Sequence, residues 1–167
     1  MIDYKNHITN VSNFPIKGIT YRDIQPILAE ISIFKSAIKD MGLLLDSIPD
    51  YWIAVESRGF IFASALAMEY GGGVRLIRKK GKLPNNRLMS VTYGLEYGND
   101  ELEMAYLPQY DYGSCVIVDD VLATGGTIGA AESLCNSHGL DIIDKLVLVD
   151  IGISKLTDVK SLIKYEE

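Results

Sequence analysis

The sequence predicts an α/β protein in which a central, mostly parallel β-sheet is flanked by helices. Short apolar runs rich in β-branched residues alternate along the chain with segments whose apolar residues recur every three or four positions. This alternation is typical of βαβ units. The length of 167 residues, with 48% hydrophobic and 23% charged residues, fits a single folded domain over residues 1–167.

Four strands and three helices can be assigned in order. The strands are predicted at 52–55, 74–77, 115–118 and 145–151, and the helices at 33–48, 59–70 and 127–138. Glycines at 71–73 and at 139 stand where two of these helices would end, because glycine readily adopts the left-handed conformation that closes a helix. The four apolar residues of 115–118 are typical of a strand buried on both faces.

Residues 80–105 interrupt this alternation. Two β-like pieces, 90–93 and 101–105, flank a Gly98-Asn99 turn, which predicts a hairpin. Long excursions in compact domains are often functional. Because this one is basic at its root and rich in Tyr and Glu, we expect a flexible lid.

The charge is distributed unevenly. The chain carries a net charge of −6, which argues against nucleic acid as a partner. Residues 58–87, however, contain seven Lys and Arg against Glu69 alone, a net +6, so the remainder carries −12. A positive segment in an acidic protein predicts a local site for a small anion.

No run of residues is apolar for long enough to span a membrane, and the N-terminal residues are polar, without the apolar stretch of a secretory signal. We therefore expect a cytoplasmic protein without a membrane partner. Cys115 and Cys135 lie in apolar or helical surroundings and are expected to be buried, reduced thiols.

The most informative motif is residues 116–127. An apolar strand leads into the carboxylates of Asp119 and Asp120, and a small, hydroxyl-rich loop precedes a helix; the loop residues are Ala123, Thr124, Gly125, Gly126 and Thr127. Backbone N–H groups of such a loop can bind a dianionic phosphate, and glycines let the backbone approach it. The two carboxylates could accept hydrogen bonds from vicinal ribose hydroxyls. No Lys follows Gly126, so this is not the P-loop of nucleotide triphosphatases.

Residues 116–127 resemble the phosphoribosyl pyrophosphate signature of the type I phosphoribosyltransferases. Four further segments, 14–24, 56–60, 78–84 and 93–98, resemble the adenine-specific members of that family and occur in the family's order. The resemblance implies the type I phosphoribosyltransferase fold, with a small N-terminal hood at about 1–30 and a lid hairpin at about 80–105. It also implies a homodimer that transfers the 5-phosphoribosyl group from phosphoribosyl pyrophosphate to adenine, giving AMP and pyrophosphate.

The same resemblance assigns roles to individual residues. The 5′-phosphate would be bound by residues 123–127. The pyrophosphate would be bound by Glu56, Ser57, Arg58, Gly59, Arg78, Lys79 and Lys82, with Arg78 reaching a partner subunit's site. Adenine would be held by Thr20, Tyr21, Arg22 and Val121, chiefly through backbone groups and the Tyr21 ring.

Three acidic residues are expected to act in catalysis. Glu96, in the lid, would handle a proton near N7 or N9 of the purine, and Asp119 and Asp120 would stabilise positive charge on the ribose. Mg²⁺ is the implied cofactor. It would be bound through the substrate, with Asp119 and Asp120 as the candidate protein ligands.

The sequence alone is also compatible with other functions. Lys17, Tyr21 and Ala63 stand where the family often has Pro, Phe and Gly, so the base is less firmly indicated than the sugar phosphate. The alternatives are a transferase for hypoxanthine, xanthine or orotate, and a non-catalytic regulator that senses phosphoribosyl pyrophosphate. A generic flavodoxin-like binding domain gives no reason for the paired aspartates.

Overall fold

The computed structural model describes residues 2–84, 87–95 and 98–166. A 3₁₀ helix at Tyr4–His7 precedes the other elements. The strands are β1 (Thr9–Ser12), β2 (Thr20–Asp23), β3 (Tyr51–Val55), β4 (Gly73–Lys79), β5 (Leu88–Leu95), β6 (Gly98–Ala105), β7 (Ser114–Leu122), β8 (Asp141–Asp150) and β9 (Lys160–Lys164). The α-helices are α1 (Gln25–Ala29), α2 (Ile31–Gly42), α3 (Gly59–Tyr70) and α4 (Gly126–Ser137).

Seven strands form one sheet in the order β5-β6-β4-β3-β7-β8-β9. The five strands β4, β3, β7, β8 and β9 are parallel to one another. Strand β6 pairs antiparallel with β4, and β5 pairs antiparallel with β6, at one edge of the sheet. The predicted central, mostly parallel sheet is confirmed. A separate antiparallel pair, β1 and β2, lies in the region expected to be the hood.

The alternation of side chains along the strands divides the core into two layers. Trp52 and Ala54 of β3 pack with α2 and α3, whereas Ile53 and Val55 face the opposite layer with α4. All four side chains are fully buried, and a strand covered on both faces requires such a continuous apolar run. The carboxyl ends of β3 and β7 therefore open at one edge of the sheet, where each is followed by a loop and a helix.

The strand and helix predictions are confirmed in position, with differences in length. Helix α3 matches the predicted range and is followed by Gly71, which has φ +89°. Helix α2 ends at Gly42 rather than at residue 48, because Leu44 and Leu45 reach the core from the turn that follows. Strand β7 continues four residues beyond the predicted 118, so Asp119 and Asp120 lie inside the strand rather than after it.

The predicted hairpin is present, but its turn was misplaced. Gly98 and Asn99 belong to β6, where they pair with Leu95 and Gly94, so they lie in a strand rather than in the turn; residues 96–97 lie outside the described residues. Strand β6 also pairs with β4, and its Leu102 and Met104 are buried. Residues 102–105 are thus part of the main sheet rather than an excursion from it.

The 3₁₀ helix, the β1–β2 pair, α1 and β9 were not predicted. All four residues of β1 are exposed, so that strand shows no apolar alternation. Helix α1 has five residues, too few for a helical period. Within the described part of the chain, no helix has the length and apolar character needed to cross a membrane.

Candidate functional site

The loop between β7 and α4 surrounds a cavity of about 120 Å³ that is lined by residues 121–128. Gly125 caps α4 with φ +91°, a conformation that favours glycine. The N–H groups of the first turn of α4 have no acceptors within the helix, which makes this end of the helix attractive to an anion. The five residues predicted to bind the 5′-phosphate therefore all line one cavity.

The segment after β8 supports this loop from behind. A Cβ atom on Gly125 would lie 2.9 Å from Ser154 Oγ and 2.8 Å from Leu156 Cδ1. The chain that carries these residues is tied to α4 by Lys145, whose Nζ lies 2.7 Å from Asp158 and 2.9 Å from Glu132. Sequence reasoning missed this supporting segment, because neither Ser154 nor Leu156 belongs to a recognisable motif.

The hairpin β5–β6 covers the same loop from the other side. A Cβ atom on Gly126 would lie 3.1 Å from the carbonyl oxygen of Gly94 and 3.4 Å from Tyr93 Cδ2. At the root of the hairpin, Lys79 Nζ lies 2.8 Å from Asp100. Glu96, expected to act in catalysis, lies outside the described residues.

Glu56, which follows β3, organises the basic cluster. Its carboxylate lies 2.8 Å from Lys82 Nζ and 3.2 Å from Arg78 Nε, and it accepts a hydrogen bond of 2.9 Å from the Lys79 amide. Arg78 also donates to the Lys82 carbonyl, so the structure places it within its own chain's cluster. The side chain of Glu56 therefore orients cations, and only its backbone remains for an anion.

The environment of Glu56 changes its acidity. Burial raises the pKa of this carboxyl, but the hydrogen bonds from Lys82, Lys79 and Arg78 outweigh burial and lower the pKa to about 2. Glu56 is therefore ionised throughout the physiological range, and its charge holds Lys82 and Arg78 together despite their mutual repulsion.

Arg58 joins this region to the paired aspartates and to β2. Its Nε lies 2.7 Å from Asp120 Oδ2, and its Nη1 donates a hydrogen bond to the hydroxyl of Tyr21. Gly59 follows at the start of α3, where a Cβ atom would lie 2.7 Å from the carbonyl oxygen of Val118. The absence of a side chain at Gly59 thus allows α3 to begin against the end of β7.

The two aspartates differ in their surroundings. Asp119 is buried, and its Oδ1 accepts a 2.8 Å hydrogen bond from the Asp120 amide. Burial, together with the charge of Asp120, raises the pKa of Asp119 well above its usual range. Asp120 Oδ2 is also buried and makes the ion pair with Arg58, but it accepts no hydrogen bond.

The residues expected to hold the base lie on β2 and β7. The Arg22 guanidinium is held by Asn10 Oδ1 at 2.6 Å and lies 4.1 Å from the centre of the Tyr165 ring. Thr20 is exposed at the start of β2, and partly buried Val121 directly follows Asp120. The Arg22 side chain is therefore engaged by Asn10 and Tyr165, and because β1 pairs with one edge of β2, a ligand could reach only the other edge of its backbone.

In the described ranges 2–84, 87–95 and 98–166, no group of three or more acidic, His or Cys side chains is arranged to hold a metal ion. The paired aspartates by themselves supply only two carboxylates. Both offer oxygen ligands, which suit Mg²⁺.

The sequence of the chain is similar to those of known phosphoribosyltransferases. Residues 21–166 match the family model described as the phosphoribosyl transferase domain. A curated relative from Dichelobacter nodosus, an adenine phosphoribosyltransferase, is 42% identical over 157 residues, covering 92% of this chain and 90% of its own.

Solved structures agree in fold. The adenine phosphoribosyltransferase of Thermoanaerobacter pseudethanolicus superposes with a TM-score of 0.90 at 36% identity, covering 98% of both chains. That of Saccharomyces cerevisiae, complexed with an imino-altritol bisphosphate and adenine, has a TM-score of 0.84 at 32% identity, with 89% of this chain and 87% of its own covered. The chain therefore belongs to the phosphoribosyltransferase family and has its type I fold.

Proposed function

We propose that the protein transfers the 5-phosphoribosyl group from phosphoribosyl pyrophosphate to adenine, giving AMP and pyrophosphate. The observation that carries this proposal is the ion pair between Arg58 and Asp120. It sits where the loop after β3 meets the end of β7, next to the phosphate cavity. The relatives are named adenine phosphoribosyltransferases, which agrees with adenine as the acceptor of the phosphoribosyl group.

Each part of the site has a task in this reaction. The loop of residues 123–127 holds the 5′-phosphate, which fixes the ribose above β7. The Arg58 guanidinium and the basic cluster around Glu56 hold the pyrophosphate, since guanidinium groups match the geometry of phosphate oxygens. As the bond from ribose C1 to pyrophosphate breaks, positive charge develops on the ribose, and the carboxylate of Asp120 stabilises it.

The purine N9 then bonds to C1 with inversion. We assign Glu96 to the proton that adenine must lose near N7 or N9. Closure of the hairpin over the phosphate loop would exclude water from the reacting atoms. Release of AMP and pyrophosphate requires the hairpin to open, and such steps often limit turnover.

The residues present fit a magnesium ion that arrives with the substrate. Asp119 and Asp120 offer carboxylate oxygens, and the buried Oδ2 of Asp120, although it is paired with Arg58, accepts no hydrogen bond. When bound, the ion neutralises charge on the pyrophosphate leaving group. We expect excess EDTA to abolish activity and added Mg²⁺ to restore it; full activity in EDTA would remove this part of the proposal.

Adenine is the base that a backbone clamp on β2 would select. Adenine offers an amine donor at C6 and an unprotonated N1, whereas hypoxanthine and guanine present a carbonyl and a protonated N1 there. Backbone groups of Thr20 and Arg22 cannot exchange donor for acceptor without refolding β2. Sites of this type can reject an analogue by ~10⁴–10⁵.

The deciding experiment is an assay with phosphoribosyl pyrophosphate, Mg²⁺ and a panel of bases. We expect kcat/KM for adenine to exceed that for hypoxanthine, guanine and xanthine by several orders of magnitude. Equal rates with hypoxanthine would reject the base assignment and leave phosphoribosyl transfer standing. No turnover with any base, together with retained binding of phosphoribosyl pyrophosphate, would favour the non-catalytic sensor.

We further propose that the protein is a homodimer. Val74 and Leu76 of β4 are in register with Trp52 and Ala54, so they face the layer that contains α3. They nevertheless remain 37% and 41% exposed. Beside them, α3 exposes Ile61 and Met68 at 40% and 87%. An uncovered apolar face continuous with the core suits a second copy of the chain.

Met68→Glu tests this proposal, because it places a charge at the most exposed of these four apolar residues. We expect sedimentation to show a dimer for the natural chain and a monomer for the variant. Leu43→Glu is the matched control, since Leu43 is 77% exposed just after α2 and lines a different pocket, with Ile2, Tyr4 and Leu162. A monomeric natural chain at micromolar concentration, or equal dissociation of both variants, would contradict the assignment.

A further inference from the structure

We propose that the hydroxyl of Tyr21 is a positioning group for Arg58, through which the base clamp and the pyrophosphate loop act as one unit. The inference rests on the proposed function and adds a second task to a residue whose ring alone was expected to matter. It starts from one contact: the Tyr21 hydroxyl on β2 accepts a hydrogen bond from Arg58 Nη1 at the start of α3.

The guanidinium of Arg58 is fixed at two points. Its Nε lies 2.7 Å from Asp120 Oδ2, and its Cζ lies 5.2 Å from the centre of the Tyr21 ring. A guanidinium has five N–H donors. With Nε in the ion pair with Asp120 and one N–H of Nη1 donated to Tyr21, three N–H bonds remain, and these include both on Nη2. The anchored side chain therefore still presents a donor edge to a phosphate oxygen.

The Tyr21 hydroxyl is well suited to act as an anchor because its own ring is held. The Phe14 ring packs edge-on against it with centroids 5.3 Å apart, and β2 is paired with β1 through Val11 and Tyr21. By contrast, 36% of the Arg58 side chain is exposed. A long exposed side chain must lose rotamer freedom when it binds a ligand, and prior anchoring reduces that cost.

The ring and the hydroxyl of Tyr21 therefore have separate roles. Its ring belongs to the base clamp, whereas its hydroxyl sets the direction of Arg58 toward the pyrophosphate. Phenylalanine would keep the ring and remove the acceptor, so Arg58 would keep its ion pair with Asp120 and its contact with the ring but lose the hydrogen bond that sets its direction. Binding of pyrophosphate should then weaken while binding of adenine stays the same.

The test is Tyr21→Phe, with separate measurement of the two substrates. Loss of one positioning hydrogen bond should raise KM for phosphoribosyl pyrophosphate, and Kd for magnesium pyrophosphate by calorimetry, by about 3- to 10-fold. KM for adenine should change by less than about twofold, as expected for an interaction that does not touch the base. Tyr112→Phe removes an exposed hydroxyl elsewhere and should change neither constant.

A thermodynamic cycle makes the assignment specific to Arg58. In an Arg58→Lys background, which lacks the second anchored nitrogen, Tyr21→Phe should have no further effect on pyrophosphate affinity. Fully additive effects would overturn the inference, as would an unchanged KM for phosphoribosyl pyrophosphate or an equal rise in both KM values. Failure of the natural chain to use adenine at all would instead reject the proposed function, which separates the two outcomes.

Discussion

Oε1 of Glu56 lies 2.8 Å from Nζ of Lys82, although 26 residues separate them in the sequence. This contact folds the root of the hairpin back onto the loop after β3. It concentrates positive charge where the pyrophosphate is proposed to bind, because the buried carboxylate holds Lys82 and Arg78 on the same side. The acid therefore builds the anion site without touching the anion.

Glu56→Gln should weaken both stability and pyrophosphate binding. The pKa of Glu56 is lowered from 4.5 to about 2. Its ionisation thus stabilises the folded protein fully above about pH 4.5, and this contribution is lost as pH falls toward 2. At pH 7 we expect thermal unfolding to show a loss of about 1–2 kcal/mol for the variant. The difference should shrink below pH 4.5, whereas Glu69→Gln, at an exposed position, should show none. A pH-independent difference would argue against the ionised form.

Asp120→Asn should fold normally and lose most activity. The substitution keeps the size of the side chain but removes the charge opposite the developing ribosyl cation and beside Arg58. Groups of this kind commonly contribute ~10²–10³ in rate. Steady-state kinetics with a circular dichroism check measures this, and Asp141→Asn, on the exposed start of β8, serves as control. An unchanged kcat/KM would refute the role.

Gly125→Ala and Gly129→Ala form a matched pair on the loop and helix that flank the phosphate cavity. Gly125 has φ +91°, and an added Cβ would approach Ser154 and Leu156, whereas a Cβ on Gly129 meets nothing within 4 Å. We expect Gly125→Ala to cost about 1–3 kcal/mol of stability and to weaken AMP binding. Gly129→Ala, inside α4, should stabilise by about 0.5–1 kcal/mol. Equal effects would show that the loop conformation is not constrained as described.

Thr127→Val should weaken AMP and phosphoribosyl pyrophosphate together, because both carry the 5′-phosphate and the hydroxyl lies in the first turn of α4. One hydrogen bond to a charged group corresponds to roughly 1.5–3 kcal/mol, or about 10- to 150-fold in affinity. Calorimetry with each ligand tests the parallel loss. Ser133→Ala, on the exposed side of α4, is the control. If only one ligand were affected, Thr127 would belong to a different part of the site.

Features that depend on neighbouring residues could be predicted from the sequence. Helix α3 is bounded by Gly59 and Gly71, both visible locally, and its range was predicted correctly. The phosphate loop was likewise predicted, since strand, small residues and helix follow one another within residues 116–127. The end of β7 was predicted wrongly because an apolar run stops at the first charge. Asp119 and Asp120 remain in the strand, since β7 pairs with β8 as far as Leu122.

Features that depend on distant partners could not be predicted. Nothing near Glu56 shows that its carboxylate meets Lys82, or that the Arg58 guanidinium meets the Tyr21 hydroxyl across 37 positions. Nothing in the sequence around Ser154 and Leu156 indicates that they pack next to Gly125 in the folded chain. These contacts arise from the packing of separate elements, so they cannot be predicted from residue type and spacing.

The way the β5–β6 hairpin joins the sheet bears on how such a protein can change over generations. Strand β6 pairs with β4 over three residue pairs, 77–79 with 102–104, while β5 and β6 pair with each other along eight. The two strands of the hairpin are thus paired with each other along a longer stretch than β6 is paired with β4, while Met89, Val91 and Tyr93 of β5 pack against the core. The exposed positions Ser90 and Thr92 can therefore vary while Leu102 and Met104 stay buried. Substitutions at such positions can change the turnover of the enzyme without an equal loss in the free energy of unfolding.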